Sequence, residues 1–141
     1  MKKIVILILP LIFTAGTLWA NEPILTDETK ALLKEAKMQV ESVEPQKLKS
    51  LMADEKVILL DVRDPDEWEK STIQYDRQVK ISRGFLEIKY PKLILDKYTK
   101  EDTFVVYCGL EPRSVFAAQR LQQLGFKHVM YLEGGLKKFN P

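Results

Sequence analysis

The feature that most limits the fold of this chain is a pair of short, uninterrupted apolar runs. They are Val57-Ile58-Leu59-Leu60 and Phe104-Val105-Val106-Tyr107. A strand with one solvated face alternates apolar and polar residues, whereas a strand covered on both faces is apolar throughout. Such strands are typical of parallel sheets, whose crossover connections are usually helical. We therefore predict an α/β fold with a central, mainly parallel sheet flanked by helices on both faces.

The other elements follow from capping signals and hydrophobic spacing. Thr26 or Asp27 can cap a first helix that runs to about Met38, and Glu44-Pro45 opens a second helix. Apolar residues recur at helical spacing between Arg113 and Leu124, before a glycine stop. The remaining segments are predicted as a strand at 39–43, a strand at 56–62, an acidic turn at 64–67, a weak strand at 78–81, helical turns on either side of Pro91 and a strand at 128–132.

The N-terminus carries the pattern of a secretory signal. Lys2 and Lys3 precede an uncharged stretch that runs from Ile4 to Ala20 and contains an apolar centre too short for a comfortable bilayer span. We expect cleavage after Ala20 and a periplasmic or secreted protein, with an uncleaved N-terminal anchor as the alternative. The predicted organisation is a signal peptide at 1–20, a helical lead at 21–38 and one domain at 39–141.

Charge and residue usage exclude several classes of function. Cleavage would leave 20 basic and 20 acidic residues, so no net charge would draw the chain to nucleic acid or anionic lipid. A membrane contact is expected only if the signal stays uncleaved. Cys108 is the single cysteine and His128 the single histidine, which excludes an internal disulfide and argues against a zinc site.

The candidate reactive group is Cys108, which follows directly on the second apolar run. Free cysteines are usually buried and inert, but ligands of open parallel sheets bind at the carboxyl ends of the strands. The loop after Cys108 leads straight into a helix, whose positive end favours a thiolate or a bound anion. We expect amide groups of five loop residues to converge there: Gly109, Leu110, Glu111, Arg113 and Ser114.

These residues carry a resemblance to the rhodanese-like family. Cys108 and Arg113, separated by four residues and followed by Ser114, resemble the active loop of that family. Three further segments resemble its early, middle and final signatures. They are 60–68 (LDVRDPDEW), 81–87 (ISRGFLE) and the pair 124–126 (LGF) with 132–135 (LEGG).

The resemblance implies a sulfurtransferase that needs neither metal nor organic cofactor. Cys108 would take a sulfane sulfur from a small donor, hold it as a persulfide and pass it to cyanide, a thiol or a partner protein's thiol. The alternatives are a non-catalytic binding or sulfur-carrier module and, less favoured, a small phosphatase or arsenate reductase. The related phosphatases place five residues between the cysteine and the arginine, and this loop has four.

Two departures from the family pattern bear on activity. Glu111-Pro112 stands where many members have small residues, and a carboxylate near the sulfur would disfavour a thiolate and an anionic donor. The segment 71–76 (STIQYD) lacks the histidine of the family's usual turn at this place, so the rim of the site is expected to differ while the fold survives.

Four charged residues receive roles from position alone. Arg113 either orients an anionic donor or holds the loop by hydrogen bonds to loop carbonyls, and we favour the second. Asp61 and Arg63 are interpreted as structural residues near the site, because an acid at a strand end more often fixes a neighbouring loop. Arg83 is interpreted in the same way.

Overall fold

The computed structural model describes residues 25–140, and a single parallel sheet organises them. Its five strands lie in the order β1-β5-β4-β2-β3, and every neighbouring pair is parallel. The strands are β1 Glu41–Val43, β2 Ile58–Asp61, β3 Gln78–Lys80, β4 Thr103–Tyr107 and β5 His128–Leu132. The predicted α/β class is confirmed, and the two apolar runs form the neighbouring central strands β2 and β4. The predicted signal peptide lies outside the described residues.

Within residues 25–140, six helices connect and cover the strands. They are α1 Asp27–Gln39, α2 Pro45–Ala53, α3 Pro65–Lys70, α4 Leu86–Leu93, α5 Pro112–Gln123 and α6 Gly135–Phe139, with a 3-10 turn at Arg83–Phe85. Between residues 25 and 140, no helix combines the length and the apolar content that a membrane crossing requires.

Two apolar clusters cover the two faces of the sheet. In β4, Phe104 and Val106 join the cluster that contains residues of α1, α4 and α5, whereas Val105 and Tyr107 join the cluster that contains residues of α2 and α6. This alternation is the period-2 geometry of a strand. It explains why both runs are apolar at every position, since each face is covered by helices.

The helix α1, which lies within the predicted helical lead at 21–38, packs into this core. Thr26 caps it by accepting a hydrogen bond from the N–H of Thr29 at 3.3 Å. Ala36 and Val40 are buried in the cluster on the α5 face, and Gln39 accepts a hydrogen bond from Gln119 of α5. The segment that precedes the strand β1 therefore supplies part of the cover of the sheet.

Two local predictions differ from the structure. The acidic stretch at 64–67 was predicted as a turn, but Pro65 opens the helix α3, and the Glu67 carboxylate accepts a hydrogen bond from the N–H of Asp64. An acid three residues after a helix N-cap is a known start signal that explains this helix. The helix α6 was not predicted, because five residues are too few to show a hydrophobic period.

The segment that lacks the family's histidine is held by a buried tyrosine. The hydroxyl of Tyr107 donates to Gln78 Oε1 at 2.5 Å, accepts from the N–H of Ile73 at 3.4 Å and lies 3.0 Å from the Thr72 hydroxyl. Burial raises the pKa of Tyr107, so the hydroxyl keeps its proton. A hydrogen-bonded network on the α2 and α6 face thus fixes this turn. The fold survives without the family's histidine, as expected.

We predict that Tyr107→Phe lowers the free energy of unfolding by about 1–3 kcal/mol, because it leaves the side chain of Gln78 and the N–H of Ile73 without this partner. Chemical denaturation provides the measurement. Tyr98→Phe is the matched control, since the hydroxyl of Tyr98 makes no hydrogen bond with any residue from 25 to 140. Equal stability changes in the two variants would contradict the role of the network.

Candidate active site

The side chain of Cys108 continues the alternation of β4 and faces the helix α5. Cys108 belongs to the cluster that contains α5, and its Sγ lies 3.7 Å from the Ser114 hydroxyl oxygen, which accepts the thiol hydrogen bond. The Ser114 hydroxyl donates to the Glu111 carbonyl at 2.7 Å. The thiol is therefore positioned by the alternation of side chains along β4 and by the first turn of α5.

A cavity of about 470 Å³ lies beside this thiol. Cys108 is only 1% exposed, yet it forms part of the cavity wall, so a ligand in the cavity could meet the sulfur. The other lining residues are Leu25, Glu67, Gly109, Leu110, Pro112 and Arg113. Volumes of this size are typical of pockets for small organic molecules.

Four of the five loop amides that were expected to converge remain available. Across residues 25–140, no acceptor pairs with the N–H groups of Gly109, Leu110, Glu111 and Arg113. The amide of Ser114 differs from the expectation, because it donates to the Glu111 carbonyl at 3.0 Å inside the first helical turn. Ser114 is the third residue of α5, and an N–H in the first turn of a helix can be satisfied by a 3-10-type bond to the carbonyl three residues before it.

The short helix α6 fixes the direction of the first two loop peptides. Leu136 donates its N–H to the Cys108 carbonyl at 2.8 Å, and Lys137 donates to the Gly109 carbonyl at 3.0 Å. In a planar trans peptide the C=O and the following N–H point in opposite directions. The N–H groups of Gly109 and Leu110 therefore point away from α6.

Glycine at position 135 makes this close approach possible. Gly135 has a φ of 61°, and a Cβ there would lie 2.7 Å from the carbonyl oxygens of Cys108 and Leu110. An L side chain would be both strained and in collision with the loop backbone. This close approach explains why position 135, the second glycine of the final signature at 132–135, needs a residue without a side chain.

Arg113 was expected to bind loop carbonyls, but its guanidinium binds a carboxylate instead. Its Nη1 and Nη2 atoms bind Glu67 Oε2 and Oε1 at 2.6 and 2.7 Å, and Asp64 Oδ2 lies 3.6 Å from Nη1. These hydrogen bonds raise the pKa of Arg113 and lower that of Glu67 below its ordinary value of 4.5. A paired fork of this kind fixes geometry as well as charge.

Asp61 and Arg63 form a buried pair that anchors α3. Arg63 Nη2 lies 2.7 Å from Asp61 Oδ2, and both side chains are almost fully buried. The same guanidinium donates to the carbonyls of Ser71 and Glu67, at the end and in the middle of α3. The pair therefore holds the helix that carries the partner of Arg113.

The carboxylate of Glu111 is paired, which weakens the electrostatic concern raised by the sequence. Its side chain pairs with Lys37 of α1 and accepts the N–H of Gly134 at 2.8 Å. The hydrogen bond from Lys37 to Glu111 raises the pKa of Lys37. The positive charge of Lys37 offsets part of the repulsion that this carboxylate would exert on a neighbouring thiolate.

Arg83 and His128 lie away from this cavity. Arg83 pairs with Glu87 and lines a separate cavity between α1 and α5, whereas His128 is exposed at the opposite, amino-terminal end of β5. Within residues 25–140, no group of three or more His, Cys, Asp or Glu side chains could hold a metal ion.

The sequence interpretation missed Glu67, Lys37 and Gly135 as contributors to the site. Glu67 was detectable as the third residue of a helix that starts at Pro65. Gly135 was included in the final signature but was given no role. Lys37 gave no signal, because an ion pair between residues so distant in sequence depends on the tertiary fold.

Comparison with known proteins agrees with this geometry. The rhodanese-like domain family matches residues 44–141. A structure from Rhodopseudomonas palustris, described as a protein of unknown function and possible tyrosine phosphatase, is 30% identical with a TM-score of 0.68 and covers 83% of this chain and 92% of that chain. No curated protein sequence matches the chain.

Two sulfurtransferase structures are also similar. A polysulfide-sulfur transferase homodimer from Wolinella succinogenes is 32% identical with a TM-score of 0.66, and the match covers 79% of this chain and 81% of that chain. A human single-domain sulfurtransferase is 24% identical with a TM-score of 0.63 and covers 71% and 95% of the two chains. The second likeness shows the fold alone.

We predict that Gly135→Ala lowers the free energy of unfolding by about 1–3 kcal/mol, because a methyl group would meet the loop backbone at a positive φ. Urea denaturation measures the change. Gly84→Ala is the matched control, since no atom lies within 4 Å of the position that its added methyl group would take, and a change within about 0.5 kcal/mol is expected. A Gly135 variant as stable as the Gly84 variant would contradict the close approach.

We predict that the stability contribution of Glu67 depends on pH. The folded pKa of Glu67 lies below its ordinary value of 4.5, so its stabilisation is present above that pH and is lost as the pH falls through the folded pKa. Glu67→Gln should lower the free energy of unfolding by up to about 1 kcal/mol at neutral pH. The difference should vanish in acid.

Urea denaturation across a series of pH values tests this dependence. Glu69→Gln, which removes an exposed carboxylate from the same helix, serves as the control. A stability difference for Glu67→Gln that stays constant from neutral pH into acid would contradict the ion pair with Arg113.

Proposed function

The chain belongs to the rhodanese-like domain family, and on that premise we propose that it is a sulfurtransferase in which Cys108 carries a sulfane sulfur as a persulfide. The observation that carries the proposal is the thiol of Cys108 in the cavity wall, at the start of a loop whose first two amides point away from α6. Unpaired N–H groups and a helix N-terminus stabilise a thiolate and a terminal sulfur anion.

The reaction has two balanced steps. The Cys108 thiolate attacks the sulfane sulfur of the donor, a new S–S bond forms, and the old bond breaks with its electron pair on the leaving group. An acceptor thiol or cyanide then attacks the outer sulfur, and Cys108 leaves as a thiolate. Both steps use the cysteine and the loop amides, and a small thiol, cyanide or a partner protein's thiol serves as acceptor.

The similarity to the polysulfide-sulfur transferase supports this reaction class, at 32% identity over most of both chains. The possible tyrosine phosphatase among the similar structures raises the phosphatase alternative. Two features argue against it here. The loop has four residues between Cys108 and Arg113, and the guanidinium of Arg113 is held by Glu67 instead of standing free for a phosphate.

A non-catalytic binding or carrier module is the second candidate function. It was motivated by Glu111-Pro112, whose carboxylate would oppose a thiolate. The pairing of Glu111 with Lys37 weakens that motive, so we favour the enzyme.

We also propose that the protein acts in the periplasm or outside the cell. The support is the pattern of residues 1–20, two lysines followed by an uncharged apolar stretch. N-terminal sequencing of protein recovered from cell fractions distinguishes cleavage after Ala20 from an uncleaved anchor.

We predict that the purified protein releases thiocyanate from a sulfane donor and cyanide, and that Cys108→Ser abolishes the release. Mass spectrometry of the donor-treated protein should show a gain of about 32 Da, one sulfur atom, on Cys108. Equal turnover by the serine variant would refute the role of the cysteine. A protein that gains no mass and turns over no donor would be a binding module, and turnover of an aryl phosphate or of arsenate would revive the phosphatase or reductase alternative.

A further inference from the structure

Among residues 25–140, the cations at the cavity wall and beside the loop are each paired with a carboxylate. Arg113, the cation of the cavity wall, is bound by both oxygens of Glu67 and lies close to Asp64 as well. Lys37 is paired with Glu111 of the loop. Arg63, which holds the helix α3, is paired with Asp61. A small dianion that entered the cavity would lose water without gaining an unpaired counter-charge.

The remaining wall favours a different kind of donor. Leu25, Leu110 and Pro112 line the cavity beside the thiol, and its volume of about 470 Å³ falls in the range of pockets that hold small organic ligands. An inorganic donor of five heavy atoms would leave most of this apolar wall uncovered. A donor with an apolar body would bury it.

From these observations we propose that the site takes an organic sulfane donor that has an apolar body and at most one negative charge. Glu67 is the residue that disfavours dianionic thiosulfate, because it occupies the guanidinium that would otherwise bind the anion. The inference rests on the proposed sulfur transfer by Cys108 and specifies its donor class.

Benzenethiosulfonate and thiosulfate form a pair of probes for this proposal. In each, the Cys108 thiolate attacks the terminal sulfur, the new S–S bond forms, and the bond to the oxidised sulfur breaks with its electron pair on the leaving group. The leaving group is benzenesulfinate in the first case and sulfite in the second. Cyanide then removes the outer sulfur as thiocyanate, so one colour reaction follows both donors.

The first measurement is kcat/KM for each donor in the wild type and in Glu67→Gln. The two donors differ in intrinsic reactivity, so the decisive quantity is the change in their ratio. Release of Arg113 should raise kcat/KM for thiosulfate about tenfold, which corresponds to about 1.4 kcal/mol. The value for benzenethiosulfonate should change less, so the ratio of kcat/KM for thiosulfate to kcat/KM for benzenethiosulfonate should rise. Glu69→Gln, the same charge change at an exposed position of α3, should leave both values unchanged.

A second variant tests the apolar wall without disturbing the ion pair. Leu110→Ala should lower the ratio of kcat/KM for benzenethiosulfonate to kcat/KM for thiosulfate about tenfold, in line with the loss of several buried methylene and methyl contacts. It also keeps the proposal testable if Glu67→Gln folds poorly.

The outcomes separate the two proposals. Absence of thiocyanate from both donors with the wild type would overturn the proposed function itself. Thiocyanate from both donors, with a donor ratio that neither Glu67→Gln nor Leu110→Ala changes, would overturn only the assignment of donor class.

Discussion

Two hydrogen bonds from the start of α6 to the carbonyls of Cys108 and Gly109 determine what the site can do. They turn the first two loop peptides so that their N–H groups face away from α6, because a trans peptide directs its C=O and N–H to opposite sides. They form only because residue 135 lacks a side chain and lets the two backbones meet. The orientation of the first loop amides is therefore set by a helix of five residues that does not line the cavity.

A second set of contacts fixes the loop through the helix α3. Arg63, buried against Asp61, binds two carbonyls of α3, and Glu67 of that helix binds Arg113. The sheet, α3 and the loop are thus linked by charged groups whose partners are all present. Such an arrangement holds position well and leaves little charge free for ligands, which is why the same contacts bear on the choice of donor.

The fold could be predicted from the sequence largely because the strongest signals were local. Two uninterrupted apolar runs identified the central strands, and the helix 112–123 followed from its hydrophobic spacing. The position of Cys108 at a strand end was also predictable. The partners of Arg113 and Glu111 were not, since Glu67 and Lys37 lie 46 and 74 positions away along the chain. Ion pairs between residues so far apart depend on how the helices pack, and no local sequence pattern predicts that packing.

The helix α1 lies outside the residues matched by the family, yet Leu25, just before it, forms part of the cavity wall and Lys37 compensates Glu111. The boundary of the matched family domain is therefore not the boundary of the cavity. Two proteins that share the whole matched domain can differ at this cavity through the segment that precedes it, so a comparison of the loops at 108–114 alone would overlook part of what surrounds this cysteine.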